Sequence, residues 1–184
     1  MGDRTDMRRA EPFVVTFVPG VTPGKWARVW NERLRREPLT LVPASSADAL
    51  RAIMDGSAHM ALLRDVEATE TLHVIPLYRE QPVVVTARDS VVAAFDTVTL
   101  AELAGENVVE GQDAAAVELI ATGTAVAVMP ASVARAHSRR DVVARPVSDA
   151  PDSGIGLAWL ASASHPRIDT FVGIVRGRTE NSSR

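Results

Sequence analysis

The chain has 184 residues, 46% apolar, 23% charged and only 4% aromatic, with a net charge of −3. That suits one domain or two small lobes with a real core, and excludes a disordered tail, a collagen or a coiled coil. There is no cysteine, so disulfides, thiolate zinc sites and a cysteine nucleophile are excluded. No apolar run is long enough to span a membrane, and Met1–Ala10 shows no secretory signal, so a cytoplasmic location is expected. Lys25 is the only lysine among 20 basic residues, a bias that points to GC-rich coding rather than to function. The slight negative charge argues against a chain devoted to nucleic acid.

In chain order, a polar arm over 1–11 leads to a β-rich run, Phe13–Val18, which ends at Pro19-Gly20. The turn Val21-Thr22-Pro23-Gly24 opens a helix whose Trp26, Val29, Trp30 and Leu34 recur at helical spacing, with arginines around the remainder. Leu39–Val42 is the next predicted strand. Ser45 with Asp48 fits a capping box for a short helix stopping at Gly56, and Met60–Leu63 is a buried strand. Strand, helix, strand, helix, strand with short turns predicts right-handed crossovers and a mainly parallel sheet with helices on both faces.

The second half repeats the theme. Leu72–Leu77 and Val83–Thr86 read as strands separated by the polar Tyr78–Gln81. Thr99 with Glu102 is a second capping box, for a helix of one or two turns ending near Gly105. Asp113–Thr122 is a helix stopped by Gly123, Thr124–Met129 a buried strand, and Pro130 a turn into a helix over Ala131–His137. Val142–Val147 and Ile155–Leu160 are later strands. A last helix starts near Ser164–Pro166 and carries Ile168, Phe171, Val172 and Val175 on one stripe.

Ligands of open α/β sheets bind at the carboxyl ends of strands, often at helix N-termini. Three junctions have suitable residues: Pro19–Gly24, where Pro19, Gly20, Val21 and Thr22 offer backbone and a hydroxyl; Ser45-Ser46; and Glu110-Gly111-Gln112. Ser45 could equally be only a helix cap, and the first segment only a tight turn. Their recurrence at one end of a parallel sheet favours a shared pocket. Catalytic patterns are missing: no G-x-S-x-G, P-loop or G-x-G-x-x-G occurs. His59, His73, His137 and His165 are scattered; His59 and His73 read as satisfied polar residues, so no metal or cofactor is expected. Asp65, Glu67 and Glu70 read as a solvated loop. Arg135–Arg140 could meet an acidic partner or nucleic acid, but such a cluster more often reads as a surface helix end, with cations near the negative end of the dipole.

The segment SSADALRAIMDGSAHMALL (45–63) resembles the L-x-x-L-x-x-G-x-x-D-x-A-L pattern of the effector-binding domain of LysR-type transcriptional regulators. Leu50, Ile53 or Met54, Gly56, Met60 and Leu62 fill its core positions, and His59 stands where the family usually has aspartate. LHVIPLYREQPVVVTARDS (72–90) is similar to the family's paired strands, TLAELA (99–104) to its L-x-x-L-A helix, and ELIATGTAVAVMP (118–130) to its V-A-A-G-x-G-V-A-L-L-P element. The ending FVGIVRGRTENSSR further resembles stand-alone actinobacterial members. The likeness spans roughly Pro12 to Arg178.

This resemblance implies a type 2 periplasmic-binding-protein fold: two α/β lobes joined by crossing strands around a small-molecule cleft. Lobe one would be 11–83 plus 157–184, lobe two 84–156, with 1–10 and 178–184 as flexible tails. Only Gly105–Val117 lies where the family has a further helix and strand, so lobe two is expected to be shortened; Ala125 replaces the second glycine of the later motif. The family's winged helix-turn-helix has no counterpart here, so direct DNA binding is not expected. The implied activity is a non-enzymatic ligand sensor or co-regulator for a carboxylate or other anion. Its candidate contacts are Pro19, Gly20, Val21, Thr22, Ser45, Ser46, Gln112 and Thr122. A homodimer or a partner regulator is expected, with the Trp26/Trp30 helix as a dimer surface unless that stripe is simply core. The alternative is a protein–protein interaction domain with a vestigial cleft.

Overall fold

The computed structural model describes residues 11–177; the tails expected at 1–10 and 178–184 lie outside the described residues. The described residues form eight strands and five α-helices. In the first half these are β1 (Phe13–Phe17), α1 (Gly24–Arg33), β2 (Leu39–Pro43), α2 (Ser46–Met54) and β3 (Met60–Arg64). Then come β4 (Leu72–Glu80), β5 (Pro82–Ala87), α3 (Ala114–Ala121), β6 (Ala127–Pro130), α4 (Ala131–Ala136), β7 (Val142–Pro146), β8 (Ser153–Leu160) and α5 (Ile168–Val175).

The strands form two sheets, one in the order β2-β1-β3-β8-β4 and a smaller one in the order β6-β5-β7. β1 pairs in parallel with β2 and β3, as the strand–helix alternation predicts. The step from β1 to β2 and the step back to β3 run in opposite directions across the sheet. Right-handed crossovers therefore put α1 and α2 on opposite faces.

The expectation of mainly parallel pairing needs correction beyond that point. β8 is antiparallel to both β3 and β4, and β5 is antiparallel to both β6 and β7. The reason is topological. Each of β8 and β5 arrives from the other sheet, enters from the opposite end, and so runs against its neighbours. A second correction concerns Tyr78–Glu80, which are not a polar break. They continue β4 opposite Ile155–Ser153 of β8, past an irregularity between Pro76 and Tyr78. Only Gln81 separates β4 from β5, so the chain changes sheet there and again between Pro146 and Ser153.

The smaller sheet is indeed short. Beyond its three strands, its edges are single bridges, Val108 with Val126 and Val98 with Val147. β5 is buried throughout, and its alternation explains why it reads as a continuous apolar run. Val83 and Val85 face α3 and α4 residues such as Ile120 and Val133, whereas Val84 joins Val92, Val98 and Leu103. The buried hydroxyl of Thr86 lies 2.6 Å from that of Ser90.

The core of the larger sheet is aromatic at its centre. Phe13 stacks on Trp30 of α1 at 5.1 Å, and Phe171 of α5 lies 5.9 Å from each. Trp30 is fully buried, and its indole N–H donates to the Glu37 carbonyl at 2.8 Å. Trp26 is also buried. The tryptophan stripe is therefore core, and the dimer-surface reading of that helix does not hold. Among the described residues, no helix is long and apolar enough to cross a membrane.

Candidate functional site

The reversal of strand order in the larger sheet falls at β1, so the carboxyl ends of β1 and β3 lie at the topological switch point where α/β sheets hold ligands. β1 runs into the Pro19-Gly20 turn, and the last residue of β3 is Arg64. Its side chain is mostly buried, and its guanidinium reaches four other segments. Nη1 donates to Glu80 Oε2 at 3.1 Å and to Ser153 Oγ at 2.8 Å, and Nη2 donates to the Pro19 carbonyl at 3.3 Å. A longer contact of 3.5 Å joins Nη2 to Ser132 Oγ, and that hydroxyl donates to Glu80 Oε2 at 2.6 Å. Side-chain exposure is 13% for Arg64 and 11% for Glu80. One ion pair thus ties β3, the β1–α1 turn, both crossing strands and α4 together.

Gly20 shows how close the two halves come. Its φ is +88°, and a Cβ there would stand 2.3 Å from Ser132 Oγ. Only glycine fits both the backbone conformation and the space. Beside this contact lies a hollow of ≈420 Å³ lined by Gly20, Val21, Thr22, Lys25, Trp26, Tyr78, Glu80, Ser132 and Arg135, among others. Lys25 Nζ sits 4.9 Å over the Trp26 ring. Glu80 is neutralised by Arg64, so Lys25 and Arg135 leave the hollow net positive. Burial, and next the Glu80 carboxylate, push the Tyr78 phenol above its usual range, so it remains a protonated donor. A second hollow of ≈400 Å³ lies behind the crossing strands and shares Tyr78 with the first.

Of the expected contacts, Gly20, Val21 and Thr22 line the positive hollow. Pro19 takes part through its carbonyl, and the Val21 amide is spent within the turn on the Val18 carbonyl. Ser45 and Ser46 are not among that hollow's lining residues. Ser45 caps α2, accepting the Asp48 N–H at 3.1 Å and donating to Asp48 Oδ2 at 2.7 Å; Ser46 is the exposed first residue of the helix. Gln112 lines a separate depression with Val108–Gly111. Thr122 ends α3, its hydroxyl donating to the Leu119 carbonyl at 2.7 Å. The third junction precedes a helix of the smaller-sheet half, so it does not share one sheet end with the other two. Ser45→Ala is expected to cost about 1 kcal/mol of stability, the usual worth of a cap, measured by urea unfolding. A loss of more than twice that would mean that Ser45 does more than cap.

Arg64, Glu80, Ser132, Lys25 and Tyr78 are the residues that sequence reading missed. The signal available was a charge closing a strand, Arg64 after Met60–Leu63 and Glu80 at the end of β4. The basic run also divides. Arg139 is held by Glu118 and by Asp141, at 2.8 and 3.0 Å from the latter, while Arg135 faces the hollow. Among the described residues no group of three or more acidic or histidine side chains could hold a metal.

A family model described as LysR substrate binding domain matches residues 24–113. No curated protein matches the chain in sequence. Among solved structures, the fold is similar to an OxyR regulatory domain mutant from Pseudomonas aeruginosa, at 19% identity and a TM-score of 0.73, over 91% of this chain and 97% of that one. It is similar to a hydrogen-peroxide-bound OxyR mutant from Corynebacterium glutamicum, at 18% identity and a TM-score of 0.75, over 94% of this chain and 69% of that one. It is also similar to the BenM effector binding domain with its effector benzoate, at 14% identity and a TM-score of 0.77, over 91% of this chain and 92% of that one. These likenesses establish the fold, and they are to regulatory and effector-binding domains rather than to enzymes.

Proposed function

We propose that this chain, with its LysR-type substrate-binding domain, is a non-enzymatic sensor of a small anionic metabolite. The half built on the larger sheet and the half built on the smaller one act as two lobes, and the ligand sits between them. The observation that carries this reading is the net-positive hollow beside the Gly20–Ser132 contact. There Lys25 and Arg135 supply charge, Tyr78 supplies a hydroxyl, and Trp26 supplies a flat apolar wall. A carboxylate on a compact or aromatic body suits that combination. Benzoate, the effector of the similar BenM domain, is a natural first probe. The sensor would act in the cytoplasm through a second copy or a partner regulator. Arg139 is engaged with carboxylates of its own chain, so contact with DNA through the basic run is not part of the proposal.

The test is titration calorimetry against benzoate and a panel of aliphatic and aromatic carboxylates. At least one should bind saturably, and Lys25→Ala or Arg135→Ala should each weaken it roughly 10-fold, as befits one charge-assisted hydrogen bond. Heats that are absent across the panel, or unchanged in both variants, would sink the reading. A second reading, an interaction domain with a vestigial cleft, is favoured by one observation: the Arg64–Glu80–Ser132 web fills the cleft floor with the chain's own groups.

A further inference from the structure

His59, just before β3, and His165, just before α5, lie together under the larger sheet. Their ring centroids are 4.4 Å apart, edge to face, and both rings lie against Phe13, at 4.8 and 5.1 Å. Each ring uses Nδ1 as an acceptor: the Val14 N–H donates to His59 at 3.0 Å, and the Arg167 N–H donates to His165 at 3.1 Å. A main-chain N–H is only a donor, so both rings must keep Nδ1 bare and carry their hydrogen on Nε2. The two contacts fix β1 on one side and the start of α5 on the other. Beyond that start, Ile168, Phe171 and Ile174 are buried in the core.

Protonating either ring would set a new Nδ1–H against a main-chain N–H and break that hydrogen bond. Protonating both would add two like charges at the ring separation. The charged groups nearby offset this little. Glu37 and Arg167 are paired with each other, and Glu11, before β1, is exposed.

We propose that the His59–His165 pair is a proton-operated latch, holding α5 on β1 while neutral and releasing it as the medium becomes acidic. Burial, and next the charge of His165, hold His59 below the ordinary histidine value. The sign follows. The unfolded chain takes up this proton first, so the latch's stabilisation is complete above about pH 6.5 and is lost as pH falls below it. This inference does not depend on the ligand reading.

The experiment is hydrogen exchange of the α5 amides at about pH 7.5 and about pH 5.5, corrected for intrinsic rates. Protection in the wild type should fall about 10-fold or more, which is one unit of pH linkage for a single proton. The double variant His59→Asn/His165→Asn, whose amide oxygens can accept the same N–H groups without titrating, should show no such fall. Unchanged protection in the wild type, or an equal fall in the double variant, would overturn the latch. Should that variant not fold, a ¹⁵N titration of the wild-type rings decides. Nδ1 protonation with the same midpoint as the loss of α5 protection supports the latch, and Nδ1 staying bare while protection falls refutes it.

Discussion

Arg64→Ala is expected to lower the free energy of unfolding by about 3 kcal/mol, the cost of stripping one partner from a mostly buried ion pair. The substitution leaves the Glu80 carboxylate, 11% exposed, with only Ser132 as a donor. It also removes the donors to Ser153 and to the Pro19 carbonyl, so both crossing strands and the β1–α1 turn lose a shared anchor. Urea unfolding followed by circular dichroism measures the effect as a shift in midpoint at constant slope. The paired change Arg64→Met/Glu80→Gln should recover most of the loss, because no buried charge is then left alone. A loss below about 1 kcal/mol for Arg64→Ala would place the pair with ordinary surface bridges and remove the argument that it binds the two halves.

Phe171→Ala is expected to cost about 4 kcal/mol, within the usual range for deleting a buried aromatic. Phe171 is wholly buried, and its ring meets both Phe13 and Trp30. α1 and α5 cannot close the gap, because both are held against the sheet by further buried residues, Trp26 on one and Ile168 and Ile174 on the other. Phe171→Leu should cost less than half as much, because it refills most of the volume. Val91→Ala, at a residue 76% exposed, should change stability by less than about 0.5 kcal/mol. Thermal unfolding followed by tryptophan fluorescence checks all three, and a Phe171→Ala loss no larger than that of Val91→Ala would contradict the packing described.

Much of the fold was legible because its signals are local. Ser45 and Asp48 make their capping contacts between neighbours, as do Thr99 and Glu102, whose reciprocal hydrogen bonds form although only a short 3-10 turn, Ala101–Leu103, follows. A cap needs only its own turn, so it marks where a helix starts and not how long it runs. The Trp26 and Trp30 spacing identified an apolar face but not what covers it, since a core and an interface share one periodicity. The polar Tyr78–Glu80 looked like a loop because a strand crossing between halves carries side chains that face a cleft rather than a core. Pairing with β8, far along the chain, makes that stretch a strand.

The candidate site divides along the same line. Gly20, Val21 and Thr22 were readable, because a Pro-Gly turn after a buried strand is a local pattern that places backbone at the end of a sheet. Arg64, Glu80, Ser132 and Ser153 were not, since their hydrogen bonds span from 16 to 89 positions of sequence. By itself the sequence determined most of the elements, their order, and hence two joined α/β units. Only the tertiary structure decided that β5 and β8 run against their neighbours, that Arg64 and Glu80 pair beside the Pro19-Gly20 turn, and that two distant histidines share one aromatic contact. Periodicity and caps act within a few residues of chain, whereas charge pairing and strand direction depend on which distant segments the fold brings together.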